Sequence, residues 1–119
     1  MTQTKEITNV PGLEAGSVVV IKKLGYGSLN KLRGLTTKSS IDPTTKQVGV
    51  SMDLGAYMKW LVIYGIVKAP FFSGCKDEND RSRVIDKDEL NAVSGEFIYK
   101  QIEKFNGFAE VEETKKNLD

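Results

Sequence analysis

The stretch Asp53-Leu-Gly-Ala-Tyr-Met-Lys-Trp-Leu-Val-Ile-Tyr-Gly-Ile-Val-Lys68 decides the fold. Leu54, Tyr57, Met58, Leu61 and Tyr64 stand at i, i+3, i+4, i+7 and i+10, which is one stripe of a helix. Trp60, Val62, Ile63 and Ile66 widen the stripe nearly all round, so the pattern predicts a central, mostly covered helix over 53–68. Ser51 or Asp53 can cap its start by accepting from an orphan amide of the first turn. Ala69-Pro70 ends it, because proline disfavours the helical conformation in the residue before it.

Upstream, Ser17-Val-Val-Val-Ile-Lys-Lys-Leu24 reads as a strand, since its β-branched run is stiff at χ1 and suits a pleated surface. Gly25-Tyr-Gly27 breaks it. Ser28 is then the expected N-cap of a short helix with Leu29, Leu32 and Leu35 on one side. Residues 36–46 read as a polar loop, and 46–52 as a second strand with Val48, Val50 and Met52 on one face. Downstream, Cys75 to Arg83 reads as a charged loop. Asp86 and Glu89 form a capping-box pattern that opens a short helix over 87–92. A longer helix follows from Ser94, with Phe97, Ile98, Ile102 and Phe105 on its apolar face and a stop at Asn106-Gly107. The predicted fold is α+β: a small β-hairpin or sheet from 17–24 and 46–52 packed on three to four helices. Residues 17–107 form a single globular domain, 1–16 a flexible lead-in and 108–119 a C-terminal tail.

Composition narrows the chemistry. The 119 residues are 39% hydrophobic and 28% charged, ordinary values for a soluble domain able to bury a core. With no His and one Cys, there is no Ser-His-Asp triad, no Cys-His dyad and no His-bearing metal cage. The expectation is a protein that is not an enzyme and needs no cofactor or metal. Cys75 alone closes no intrachain disulfide, which suits a reducing compartment. The longest apolar run, from Trp60 to Val67, is far short of the roughly 20 residues a membrane span needs. The first residues lack the charged-then-apolar order of a signal peptide. Charge is split: residues 1–70 carry nine Lys/Arg and four Asp/Glu, and residues 71–119 carry eight and twelve, so the halves stand at +5 and −4. Opposite halves can pair internally or between copies, or be two solvated faces.

Several candidate sites compete with plainer accounts. Glu78, Asp80, Ser82, Asp86 and Glu89 fall at the oxygen-ligand positions of a calcium loop, but Arg83 stands where the sharp turn needs Gly. A capping box explains Asp86 and Glu89 without a metal. Gly25-Tyr-Gly-Ser28 lacks the spacing of a phosphate-binding loop and reads as a strand-to-helix turn. Lys22, Lys23, Lys31, Arg33 and Lys38 around Tyr26 make a modest basic face, and the overall pI of about 7.8 is below that of a nucleic-acid binder. Tyr57, Trp60, Tyr64, Phe71 and Phe72 are core by default. A helix apolar on nearly every side of a small domain can also leave surface for a partner or a second copy. These five are the expected partner-binding residues.

The order of features resembles the tail assembly chaperones of long-tailed bacteriophages. The resemblance rests on Lys23-Leu-Gly-Tyr-Gly-Ser28 after a strand, on Leu54-Gly-Ala-Tyr-Met-Lys-Trp-Leu-Val-Ile-Tyr-Gly-Ile-Val67, on Lys68-Ala-Pro-Phe-Phe72, and on the segment from Leu90 through Ser94-Gly-Glu-Phe-Ile-Tyr-Lys-Gln-Ile-Glu-Lys-Phe-Asn106. It covers roughly residues 18–106 and consists of apolar positions rather than a catalytic signature. It implies a non-enzymatic role in tail tube assembly. Such proteins bind the tape-measure protein and keep it soluble until tail tube subunits polymerise around it. They work in the host cytoplasm and are absent from the mature virion. Many also exist in a longer, frameshifted form, whose extension would begin beyond about residue 110 here. The alternative is a small structural or adaptor protein retained in the virion.

Overall fold

The computed structural model describes residues 3–41, 44–45 and 48–108. Ten elements follow in order: β1 (Thr4–Thr8), β2 (Val18–Lys22), α1 (Tyr26–Thr36), β3 (Thr37–Ile41), β4 (Val48–Met52), α2 (Leu54–Gly65), β5 (Ile66–Lys68), a single 3-10 turn (Pro70–Phe72), α3 (Glu78–Asp86) and α4 (Ala92–Asn106). The fold is α+β, with a three-stranded antiparallel sheet in the order β1-β2-β5 and four helices. Strands β3 and β4 form a separate two-stranded ribbon.

The β-branched run makes the central strand of the sheet. Val19 and Ile21 alternate inward and are fully buried, while Val18 faces out. Their partners differ from the expected ones. β2 pairs with β1 (Ile7 opposite Val19) and with β5 (Ile66 opposite Ile21), not with 46–52. Residues 48–52 pair instead with 37–41, half of the stretch read as a polar loop. The segment 1–16, read as a lead-in, supplies the edge strand β1 and two core residues, Ile7 and Val10. It is also tied to the last helix. Ser94 Oγ donates to the Pro11 carbonyl at 2.6 Å, and Gly12 passes so close that a Cβ there would lie 2.6 Å from Ser94 Oγ. Gly12 also has φ +86°, a conformation that glycine tolerates and other residues resist. The tail expected over 108–119 lies almost wholly outside the described residues.

Helix α2 starts as expected, with Asp53 accepting from the Ala56 amide at 3.1 Å. It stops earlier than expected, at Gly65 rather than before Pro70. Two features account for this. Ile66, Val67 and Lys68 are recruited as β5 by the edge of β2. Gly65 lies against Ile102 of α4, where a Cβ would come within 2.6 Å of Ile102 Cγ2, so the two helices touch at the glycine. α1 opens at Tyr26 with Gly25 as its cap, so Ser28 falls inside the first turn instead of capping it. Leu32 is buried, and Leu35 is exposed.

The charged stretch read as a loop is helix α3. Asp77 caps it by accepting from the Asp80 amide at 2.9 Å, and Asp80 reaches back to the Lys76 amide at 3.0 Å. This is the logic of a capping box, placed nine residues before the expected one. Asp86 therefore ends a helix rather than starting one, and the chain turns through Asp88 at φ 58°. α4 closes as the Asn-Gly pair predicts. Gly107 adopts φ 78°, its amide donates to Lys104 O, and Phe108 N–H reaches Glu103 O, which together satisfy the last carbonyls.

Candidate functional site

The acidic positions at calcium-loop spacing ride a helix. Glu78, Asp80 and Ser82 stand at i, i+2 and i+4 of α3, which sets Asp80 on the side of the helix opposite Glu78 and Ser82, so the three do not converge on one point. Asp80 pairs with Arg83 at 2.9 Å and Asp86 with Lys59 at 2.9 Å. Among the described residues, no group of three His, Cys, Asp or Glu side chains is placed to hold a metal ion. Among them too, no helix is long and apolar enough to cross a membrane.

The five aromatics separate into three groups. Trp60 and Tyr64 stack one turn apart on α2, with ring centroids 5.8 Å apart, and Lys59 lies 5.2 Å from the Trp60 ring. Tyr57 meets Tyr99 of α4 edge-on at 6.1 Å. Phe71 and Phe72 pack edge-on at 4.7 Å. Tyr57, Trp60, Tyr64 and Phe71 are half-buried against the core. Phe72 is only 5% exposed, under the Arg81 guanidinium at 4.8 Å, so it belongs to the core and leaves the contact set.

Arg81 was invisible as a structural residue in the sequence. Its Nη1 donates to the carbonyls of Ile63 (3.0 Å) and Ile66 (2.6 Å), and its Nη2 to Val67 (3.1 Å). It thus takes up carbonyls where α2 gives way to β5. Such carbonyls form the negative end of a helix, which a cation suits. Burial pulls the guanidinium below its ordinary pKa, partly offset by Cys75. Beside it, burial and a hydrogen bond to Glu78 push the Tyr64 phenol up to about 12.

The surface best suited to a partner lies elsewhere on α2. Its N-terminal half and that of α4 line an open groove of about 480 Å³. Met58 and Val62 line one wall, Gly95 and Tyr99 the other, and Ile85 and Leu90 the end. Gly55 and Ala92 keep the mouth wide. Beside these, Leu54, the first residue of α2, and Val93, the second of α4, are 56% and 59% exposed. The rim is charged, with the Lys59–Asp86 pair on one side and Asp88 at the turn. Of the expected partner-binding residues, none lines this groove, although Tyr57 touches Tyr99 beside it. A chain reading along α2 alone sees one of its walls. The other comes from a helix more than thirty residues away in sequence.

These features define a small α+β protein whose conspicuous surface is an apolar groove between two helix starts. No family model, curated protein or solved structure matches the chain.

Proposed function

We propose that this protein is a non-enzymatic tail assembly chaperone of a long-tailed phage, which acts in the host cytoplasm and holds the tape-measure protein until the tube forms around it. The single observation that carries the reading is the apolar groove between α2 and α4, with Leu54 and Val93 exposed beyond its mouth. A tape-measure protein offers long amphipathic helices. Such a helix lays its apolar stripe into a groove of this kind, and glycines along the walls let its backbone approach. The half-buried Trp60–Tyr64 stack and Phe71 are a second apolar area on the same helix and the turn after it, where a long partner can continue.

The test is co-expression of the tape-measure protein encoded nearby, with and without this chain. Soluble tape-measure protein only in its presence supports the reading; unchanged solubility removes it. Purified particles separate the two phage roles. A chaperone is absent from them, and a virion adaptor is present.

A further inference from the structure

Among the described residues, Tyr26 is the most exposed of the large apolar side chains, at 79%. It opens α1 at the turn after β2 and stands between Gly25 and Gly27, both of which border open space. The ring therefore projects from the body with little of its surface covered. A tyrosine has few side-chain torsions and loses little freedom on docking, which is why it serves as an anchor at protein contacts. Its flanks are basic. No acid stands between Glu14 and Asp42, whereas Lys22, Lys23, Lys31 and Arg33 lie on either side of Tyr26 in sequence. Lys31 and Arg33 are exposed on α1 and hold no ion pair among the described residues.

The α2/α4 groove has the complementary character. Met58, Val62 and Tyr99 give it apolar walls, and its polar lining is Lys59, Asp88 and Asn91. Lys59 is taken up by Asp86 at 2.9 Å. Asn91 accepts from the Val93 amide through Oδ1 at 2.8 Å, which leaves its Nδ2 as a donor. Asp88 and its neighbour Glu89 are exposed and hold no ion pair among the described residues. A ring with an apolar body, a hydroxyl tip and cationic flanks matches this surface. The body fits the walls, the hydroxyl has Asp88 and Asn91 to bond, and the cations meet free carboxylates. Within one chain the two stay apart, since Tyr26 does not line the groove and remains in solvent.

We propose that Tyr26 of one copy inserts into the α2/α4 groove of a second copy, with Lys31 and Arg33 of its α1 facing Asp88 and Glu89. The contact is head-to-tail and joins the basic first half of one chain to the acidic second half of the next. It is small. One covered aromatic ring brings about 150–250 Å² from its side, against roughly 800 Å² per partner in a stable interface. The association is therefore reversible on dilution, and its charged part is screened by salt. It goes beyond tape-measure binding and stands on Tyr26 and the groove, not on the identity of that partner.

Analytical ultracentrifugation of the full chain tests this with Tyr26→Ser, which removes an exposed ring, and Gly55→Lys, which blocks the groove mouth. A Cβ at Gly55 meets only Asp53 Oδ1 at 3.6 Å, so the second variant has room to fold. The wild type is expected to associate as concentration rises and to dissociate in high salt. Each variant alone is expected to stay monomeric where the wild type associates, with thermal melting unchanged. Their equimolar mixture should give a heterodimer and nothing larger, because one chain brings only the groove and the other only the ring. Asp88→Asn, at an exposed carboxylate, should weaken the association severalfold and flatten its salt dependence, which keeps a groove-side test if Gly55→Lys does not fold. A wild type that is monomeric at every concentration overturns the proposal, as does Tyr26→Ser associating like the wild type. A mixture of folded variants that does not recover overturns it too, as does Asp88→Asn changing neither affinity nor salt dependence. Tape-measure solubilisation is read separately. If Tyr26→Ser solubilises that partner yet no longer self-associates, both proposals stand; if it solubilises and self-associates unchanged, only this one falls. If the wild type associates as expected yet leaves the partner insoluble, only the tape-measure reading falls.

Discussion

Arg81 holds three carbonyls at the point where a helix becomes a strand. Removing it leaves those groups without their charged donor and uncovers Phe72. Arg81→Ala should therefore lower stability by about 1.5–3 kcal/mol, the range for hydrogen bonds to charged groups. Urea unfolding should show a lower midpoint with an unchanged slope. Arg81→Lys should recover little, since an ammonium cannot reach carbonyls on two sides or stack on a ring as a planar fork does. Tyr64 gives a pH prediction. Its folded pKa, about 12, lies above the ordinary value of 10.0. The folded state thus holds the phenolic proton longer than the unfolded chain. The stability this contributes is complete below pH 10 and is lost as pH rises from about 10 to 12. Following tyrosinate absorbance alongside the melt checks it, and Tyr64→Phe should flatten that part of the stability curve.

Helix against helix, Gly65 is the point of contact between α2 and α4. A methyl group there meets Ile102 at 2.6 Å, so Gly65→Ala should cost about 1–3 kcal/mol despite alanine's better helix propensity. Combining it with Ile102→Val should recover part of the loss; equal melting of the single and double variants would show that the crossing relaxes by moving instead. The elements differ in how far local sequence announces them. Asp53 before an apolar stripe, Asn106-Gly107 after one, and four β-branched residues in a row are signals contained within a few positions. β5 is not such a signal. Ile66 to Lys68 continue the helical pattern, and only the edge of β2, more than forty residues away, converts them to strand. α3 was obscured because its nine residues expose their charges and bury none of their side chains fully, so periodicity had no apolar face to register. The cap was legible in kind and misplaced in position, because Asp77 with Asp80 and Asp86 with Glu89 offer two versions of one pattern nine residues apart. The groove was hidden for a related reason. Its walls are ordinary apolar positions on two helices distant in sequence, and only the fold brings them together as one surface.

For the molecule as a whole, the N-terminal segment is the largest difference between pattern and structure. Residues 1–16 show no period, yet Ile7 and Val10 sit in the core and Pro11 is bound by α4. Ile7→Ala should cost about 2–4 kcal/mol, as for a large aliphatic residue truncated inside a packed core. The same change in a dangling segment would leave the melting temperature unaltered, so calorimetry separates the two. The candidate role also belongs to this scale. Apolar surface is left along the groove between α2 and α4.

Asn106 joins the two ends of this arrangement. Its Oδ1 accepts from the Leu24 amide at 2.7 Å, and its Nδ2 donates to Lys22 O at 3.2 Å, across 84 positions of sequence. The close of the last helix is therefore the clasp on the central strand. During synthesis, β2 leaves the ribosome long before Asn106 has been translated, and the exit tunnel delays the clasp further. Over that interval the sheet has strands but neither its clasp nor the helix whose Ile98 and Ile102 fill the core beneath it. Folding must then finish late and nearly all at once, after translation has passed the final helix.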